Sequence, residues 1–286
     1  MNIRNLSVCF GLIVVSATGC STFDSTPEAT LSWEQRLTTQ QLYFSAPNYW
    51  WSTLSQSEVN KALDTMLAEG ADGPSIEFCG PATADEYNKK NTAATAERVD
   101  VTYRKNIKIF KDRWLPGLKK RGQVVKLSFC NTNTKRNNSI SDGEWKNLAN
   151  EFVDACGVNN MLVLPYSETD PRTRSSIRSV LDQTFRARGA RVVRYGGTSG
   201  LREYHSQRGN DIPRGNKDLI VSSDSGPCIG YLYGGSWQGG GSHNEANITA
   251  YATTTGNNGG SCEVYNFNTK FDAKGCKIAG KAWGKR

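Results

Sequence analysis

The chain of 286 residues holds only two histidines, His205 and His243, and none of its eight cysteines stands in a Cys-x-x-Cys pair. Zinc sites draw mostly on those two residue types at close spacing, so no metal is expected. No Gly-x-Gly-x-x-Gly fingerprint follows the first strand-like run. The stretch "YGGTSG" (195–200) comes after a later one, lacks that spacing, and reads as a turn, so no organic cofactor is expected either. Nor does any apolar run reach the ~20 residues of a membrane-spanning helix. With 37% hydrophobic residues and a mean hydropathy of −0.55, a multi-span membrane protein is excluded. Basic residues are scattered without the arrangement of a nucleic-acid module, and no nucleic-acid partner is expected.

Aromatics, in contrast, are plentiful: seven Trp, eleven Tyr and ten Phe. Disordered chains are poor in them, so this is a globular chain. A soft prior of ~150 residues per domain leaves open one large α/β domain or two small ones. The net charge of +8 favours an anionic surface, glycan or lipid headgroup as partner, although solvated surface alone accounts for charge of that size.

Arg4 followed by "VCFGLIVVSATGC" has the layout of an export signal over residues 1–20. The end of that run, "SATGCS", resembles the bacterial lipobox. The resemblance implies lipidation at Cys20, a membrane anchor, and a location in the cell envelope, at the outer membrane. Ala17 stands where that motif usually has Leu, Ile or Val, so ordinary cleavage and secretion remain the alternative. Residues 21–38 then read as a polar tether, 39–228 as the folded core, and 229–286 as a Gly-rich β segment that completes or caps it. Export makes disulfides the expectation for the remaining six cysteines. Cys262 and Cys276 are near enough in sequence to staple the terminal segment. Cys79 and Cys130 end consecutive strands and are either a disulfide or two buried thiols.

From residue 41 short β-like runs alternate with amphipathic ones. The strands are "QLYFS" (41–45), "PSIEFC" (74–79), "QVVKLSFC" (123–130), "MLVLPY" (161–166), "RVVRY" (191–195) and "DLIVSS" (218–223). Helical patterns fill 55–70, 102–122, 141–157 and 169–189, with Ser55 or Ser57 and Ser141 as caps and Pro171 near a first turn. Such alternation implies parallel pairing, as a (β/α) barrel or, alternatively, an open doubly wound sheet. The last third is less regular. "ITAYATTTGNNGGSCEVYNFN" (248–268) reads as a terminal hairpin, so the barrel is expected to be incomplete or irregular.

Within the strands, polar residues interrupt the apolar set at every second position. Ile76 and Phe78 leave Ser75, Glu77 and Cys79 on the other face; Val125, Leu127 and Phe129 leave Lys126, Ser128 and Cys130. Glu77 and Lys126 are therefore expected to meet, either as a buried structural pair or as part of a lined pocket. Arg194, Asp224 and Glu168 follow the same logic, and ligand sites of parallel α/β folds lie at the carboxyl ends of strands, where Asn131, Glu168 and Asp224 fall. Glu168 and Asp170 also suit the acidic first turn of a helix. Tyr49, Trp50 and Trp51 in "APNYWWS", with Tyr166 and Trp237, supply rings that stack on sugars, although of two adjacent Trp one is expected to cap the core. "GGSWQ" (234–238) only half-matches Gly-x-Ser-x-Gly and has no helix after it, so a nucleophile elbow lacks its context.

On "LYFSAPNYWW", "GADGPSIEFC", "KKRGQVVKLSFCN" and "NNMLVLPYSETD", over about residues 40–225, the chain resembles glycoside-hydrolase-type TIM barrels in architecture. That resemblance implies a general acid at Glu168, after the fourth strand, though Ser167 replaces the Asn usual before it. It implies a second carboxylate later in the barrel, best placed at Asp224, with Glu77 in reserve. Lys126, Asn131, Arg194 and the five aromatics would bind a bacterial surface or extracellular polysaccharide. The competing expectation is a non-catalytic surface lipoprotein that binds glycan or a partner protein.

Overall fold

The computed structural model describes residues 40–47, 51–78, 98–130, 137–166, 174–195, 201–205, 219–222, 232–233, 236–237, five positions between 249 and 257, 261–264 and 270–284. The first half follows the expected alternation: β1 (Leu42–Ser45), α1 (Gln56–Ala68), β2 (Gly73–Glu77), α2 (Val99–Ile109), α3 (Leu115–Arg121), β3 (Val125–Ser128), α4 (Asp142–Cys156), β4 (Met161–Leu164) and α5 (Ser175–Ala187). Ser55 starts α1 through a capping box: its hydroxyl accepts from the Glu58 amide, and Glu58 accepts in turn from the Ser55 amide at 2.8 Å. Val59, Ala62, Leu63 and Met66 then recur at helical spacing and form its buried stripe. The Ser141 hydroxyl caps α4 by accepting from the Glu144 amide at 3.1 Å, whereas α5 begins at Ser175, beyond the expected start near Pro171.

Between α2 and α3 one wide turn of π-helix, Phe110–Trp114, turns both Phe110 and Trp114 inward. The same turn clamps the segment before α1: Arg113 donates to the Ser52 and Leu54 carbonyls at 3.1 and 3.0 Å, and Trp114 Nε1 to the Trp51 carbonyl at 3.3 Å. Helices and strands enclose an aromatic core in which Phe78 lies within 5.3–6.1 Å of the rings of Trp51, Tyr103, Phe110, Phe129 and Phe152. Full burial of each such ring contributes roughly 1.5–3 kcal/mol.

The second half consists of short strands: β5 (Arg191–Val192), β6 (Arg194–Tyr195), β7 (Arg202–His205), β8 (Leu219–Ser222), the pair β9 (Leu232–Tyr233) and β10 (Ser236–Trp237), and β11 (Ser261–Val264), followed by α6 (Ala273–Trp283). The main sheet runs β5-β4-β3-β2-β1-β11-β8-β7-β6, and every pair in it is parallel. Its two ends, β5 and β6, are one chain segment separated only by Val193. The Val193 amide donates to the Val163 carbonyl on the β4 side at 2.8 Å, and the Arg194 amide to Leu201 on the β7 side at 3.0 Å. The pairing therefore returns on itself as a (β/α) barrel, which rules out the open doubly wound alternative. Its irregularity lies between β6 and β7, where only residues 196–201 make a parallel connection that normally carries a helix.

The terminal segment corrects two expectations. Residues 248–268 are not an appended hairpin: positions 252, 253, 255 and 257 are helical, and β11 inserts between β1 and β8 as a central parallel strand. The antiparallel pair is β9–β10, with Ser236 opposite Tyr233 and Trp237 opposite Leu232. Ser236 thus sits on a hairpin strand, not on a strand-to-helix elbow. After β11, α6 packs back on α1 so closely that a Cβ on Gly280 would lie 1.6 Å from the Glu69 carbonyl oxygen. The second correction concerns sulfur. Cys130, Cys156, Cys262 and Cys276 are buried thiols, so neither Cys262–Cys276 nor Cys79–Cys130 is a disulfide; all four join the apolar core. Burial pushes the Cys156 thiol up to about 12 and those of Cys130 and Cys276 higher still.

Candidate functional site

The alternation read from the strands holds. Leu42, Phe44, Ile76, Val125, Leu127, Met161, Val163, Cys262 and Val264 join the core beneath the helices, so the residues between them face the inside of the ring. On the β4 side that interior is apolar, with Tyr43, Val124, Leu162, Leu164 and Val193 in one small cluster. Towards β3, β2 and β11 it is charged. Lys126 Nζ donates to Glu263 Oε2 at 2.6 Å, both side chains wholly buried, and the Ser75 hydroxyl donates to the other Glu263 oxygen. The ion pair reaches across β2 and β1 and ties β3 to β11. Tyr43 lies in register with Glu263 and has its phenol pKa raised, first by burial and then by the Asp72 and Glu263 carboxylates, so it stays a neutral hydroxyl. Among the described residues, its oxygen and that of Ser128 are buried without a hydrogen-bond partner.

One turn of strand further up, Glu77 closes β2 on the inner face, with only 8% of its surface exposed. Helix-side groups fix the strand ends around it. Trp51 Nε1 donates to the Glu77 carbonyl at 2.6 Å, Asn106 to Phe78 at 2.9 Å, and the Tyr103 hydroxyl to Phe129 at 2.8 Å. The carboxyl ends of β2 and β3 are thus held by side chains that sit outside the ring, which keeps that rim rigid.

Placed on this frame, the expected site residues separate. Lys126 is sealed in the ring with Glu263, the ion pair it forms, so it is not at a surface where substrate could reach it. Trp51 is fully buried and stacks on Phe78 at 5.4 Å; it caps the core and orients the Glu77 backbone. Tyr166 is also a core residue, with the Arg178 guanidinium 5.6 Å over its ring. Arg194 points outward and lies 3.7 Å from Asp182 on α5. Trp237 belongs to β10 in the small hairpin. Glu168, Asp224, Asn131, Tyr49 and Trp50 lie outside the described residues. Counting β5–β6 as one, Asp224 follows the seventh strand of the ring by two residues, because β7 adds a strand that the sequence pattern concealed.

Glu263 is the interior residue that sequence reasoning missed. Its signal was present: in "SCEV" an acid stands between Cys262 and Val264, the pattern that identified Glu77 and Lys126, but Gly and Asn before it suggested a hairpin. Among the described residues no three His, Cys, Asp or Glu side chains are arranged to hold a metal ion, and no helix is long and apolar enough to cross a membrane.

No family model and no curated protein matches the sequence. Solved structures do. A Bacteroides ovatus family 5 xyloglucanase in complex with an XXXG heptasaccharide superposes with a TM-score of 0.50 at 13% identity, over 92% of this chain and 78% of that one. Endo-β-1,4-glucanase B of Bacillus halodurans reaches a TM-score of 0.48 at 9% identity, over 89% of this chain and 62% of that one. The likeness to the xyloglucanase shows the fold: the chain has TIM-barrel architecture.

Proposed function

We propose that this is an exported glycoside hydrolase, held at the cell envelope by a lipid on Cys20 and acting on a bacterial surface or extracellular polysaccharide. The observation that supports it is directional. β2, β4 and β8 run parallel, so the chain leaves all three at one end of the ring: at Glu77, four residues before Glu168 and two before Asp224. Glycoside cleavage needs a carboxylic acid to protonate the leaving oxygen and a carboxylate to attack or to activate water. Glu168 takes the first role and Asp224 the second. Glu77, anchored through its carbonyl by Trp51, orients a hydroxyl of the sugar or replaces one of them. The similar Bacteroides ovatus enzyme holds an oligosaccharide, which agrees with a glycan at this mouth.

A second reading, a barrel that binds glycan or protein without cleaving it, is favoured by the withdrawal of Trp51, Tyr166 and Arg194 from the mouth. Hydrolysis of purified bacterial polysaccharides by the wild type beside Glu168→Gln and Asp224→Asn separates the two. Loss of roughly 10²-fold or more in either variant supports hydrolysis, in line with the usual worth of general acid–base catalysis. Equal traces from all three proteins establish the binding reading instead.

A further inference from the structure

The end of the barrel opposite that mouth has a composition of its own. In a parallel ring each helix returns so that its last turn lies beside the amino ends of the strands. α3 ends there with Lys119 and Lys120, and β5 opens there with Arg191; all three are exposed. α6 runs the same way, from Phe271, whose ring packs 5.6 Å from that of Phe44, down to Gly280 against Glu69 at the end of α1. That direction carries Lys277 and Lys281 to the same end, on the exposed side of the helix. None of these five cations forms an ion pair among the described residues, whereas Arg121, Arg186 and Arg188 close by are matched with Asp64, Asp182 and Asp154.

Basic last turns complement helix dipoles, and that alone would explain lysine there. It does not explain Leu67. At 51% exposure it is the more open of the two exposed large apolar side chains among the described residues, and it lies in the last turn of α1, beside the end of α6. An uncovered leucine among unmatched lysines fits a surface that is both anionic and apolar just below its charge. The chain before β1 enters at this same end: the Leu42 amide donates to Asp72 at 2.7 Å, and the Gln41 carbonyl accepts from Cys262 at 2.8 Å. From Cys20, residues 21–39 can span at most ~65 Å. Screening acts over ~8 Å at physiological salt, so a tether of that reach does not by itself bring the face to a bilayer.

We infer that the amino-terminal face of the barrel is a docking surface for an anionic lipid bilayer, with Lys119, Lys120, Lys277 and Lys281 at the headgroups and Leu67 in the acyl boundary. The mouth then points away from the membrane. The inference is separate from the hydrolase reading, and its test uses no substrate. The full chain carrying Cys20→Ser, which cannot be lipidated there, is sedimented with phosphatidylglycerol-containing vesicles, with phosphatidylcholine vesicles, and titrated with dextran sulfate. Expected is binding to the anionic vesicles only, weakened on the order of 10²–10³-fold when the four lysines become Gln, since each basic residue near an anionic leaflet is worth a factor of ~5. Leu67→Ser weakens vesicle binding several-fold and leaves any dextran sulfate binding unchanged. Lys108→Gln with Lys111→Gln, on the flank of the barrel, serves as the control of equal charge type. Equal losses from the flank pair and from Lys277→Gln with Lys281→Gln, or dextran sulfate binding without vesicle binding, overturn it. Thermal melts of every variant confirm that the fold is kept.

Discussion

The two faces of one sheet make the instructive comparison. Outside the ring, side chains meet as interchangeable hydrophobic volume: Phe78 touches five aromatic rings and no single partner defines it. Inside, Lys126, Glu263 and Ser75 meet as a specific set whose members are each costly without the others. Outer packing degrades by degrees, while the interior has only intact and broken states. That difference explains why Trp51 and Tyr166, expected at a sugar-binding mouth, lie in the core instead.

The comparison can be broken first on the outside. Phe78→Ala is expected to cost ~4 kcal/mol in urea unfolding, from lost transfer energy and the cavity left among five rings. Lys126→Met comes next at ~3 kcal/mol, because it removes the buried ammonium that faces the Glu263 carboxylate. The sharper form is the pair Lys126→Met with Glu263→Leu, expected to lie within ~1 kcal/mol of wild type; additivity of the two single losses would show that the interior behaves like the exterior. Trp51→Phe keeps most of the ring volume but removes the hydrogen bond to the Glu77 carbonyl, for ~1 kcal/mol. Peptide mapping after alkylation should find Cys130, Cys156 and Cys276 unmodified in the native protein and modified once it unfolds, as burial raises all three thiol pKa values.

The smallest effect belongs to the helical surface. Burial of Asp100 opposes ionisation, but hydrogen bonds and charge from Arg98, with Arg104 added, outweigh it and lower the pKa. A depressed folded-state pKa stabilises above the unfolded carboxylate range, ~4, and that contribution disappears as pH falls through the folded value. Asp100→Asn should therefore lower the melting temperature slightly at neutral pH and converge with wild type in acid.

Much of the first half was legible because each element carries its own signal. Ser55 and Ser141 cap where expected, and Ile76 with Phe78, or Val125 with Leu127, set the helix-facing side of β2 and β3 through a two-residue period. The place of β11 and the presence of α6 were not legible. "SCEV" carries a strand pattern, but its central position comes only from pairing with β1 and β8, more than 200 and about 40 residues away. Trp51 was assigned to the right stretch and left open as to face. What decides it is the Phe78 ring and the Glu77 carbonyl, and neither is near in sequence.

Local alternation of polar and apolar side chains, written in the sequence, determined the parallel α/β class, four of the helices and which side of each early strand carries charge. Only the closed ring decided which charges meet. Lys126 found Glu263 because β11 entered beside β1, and a buried cation takes the carboxylate that geometry delivers, whatever lies nearer along the chain.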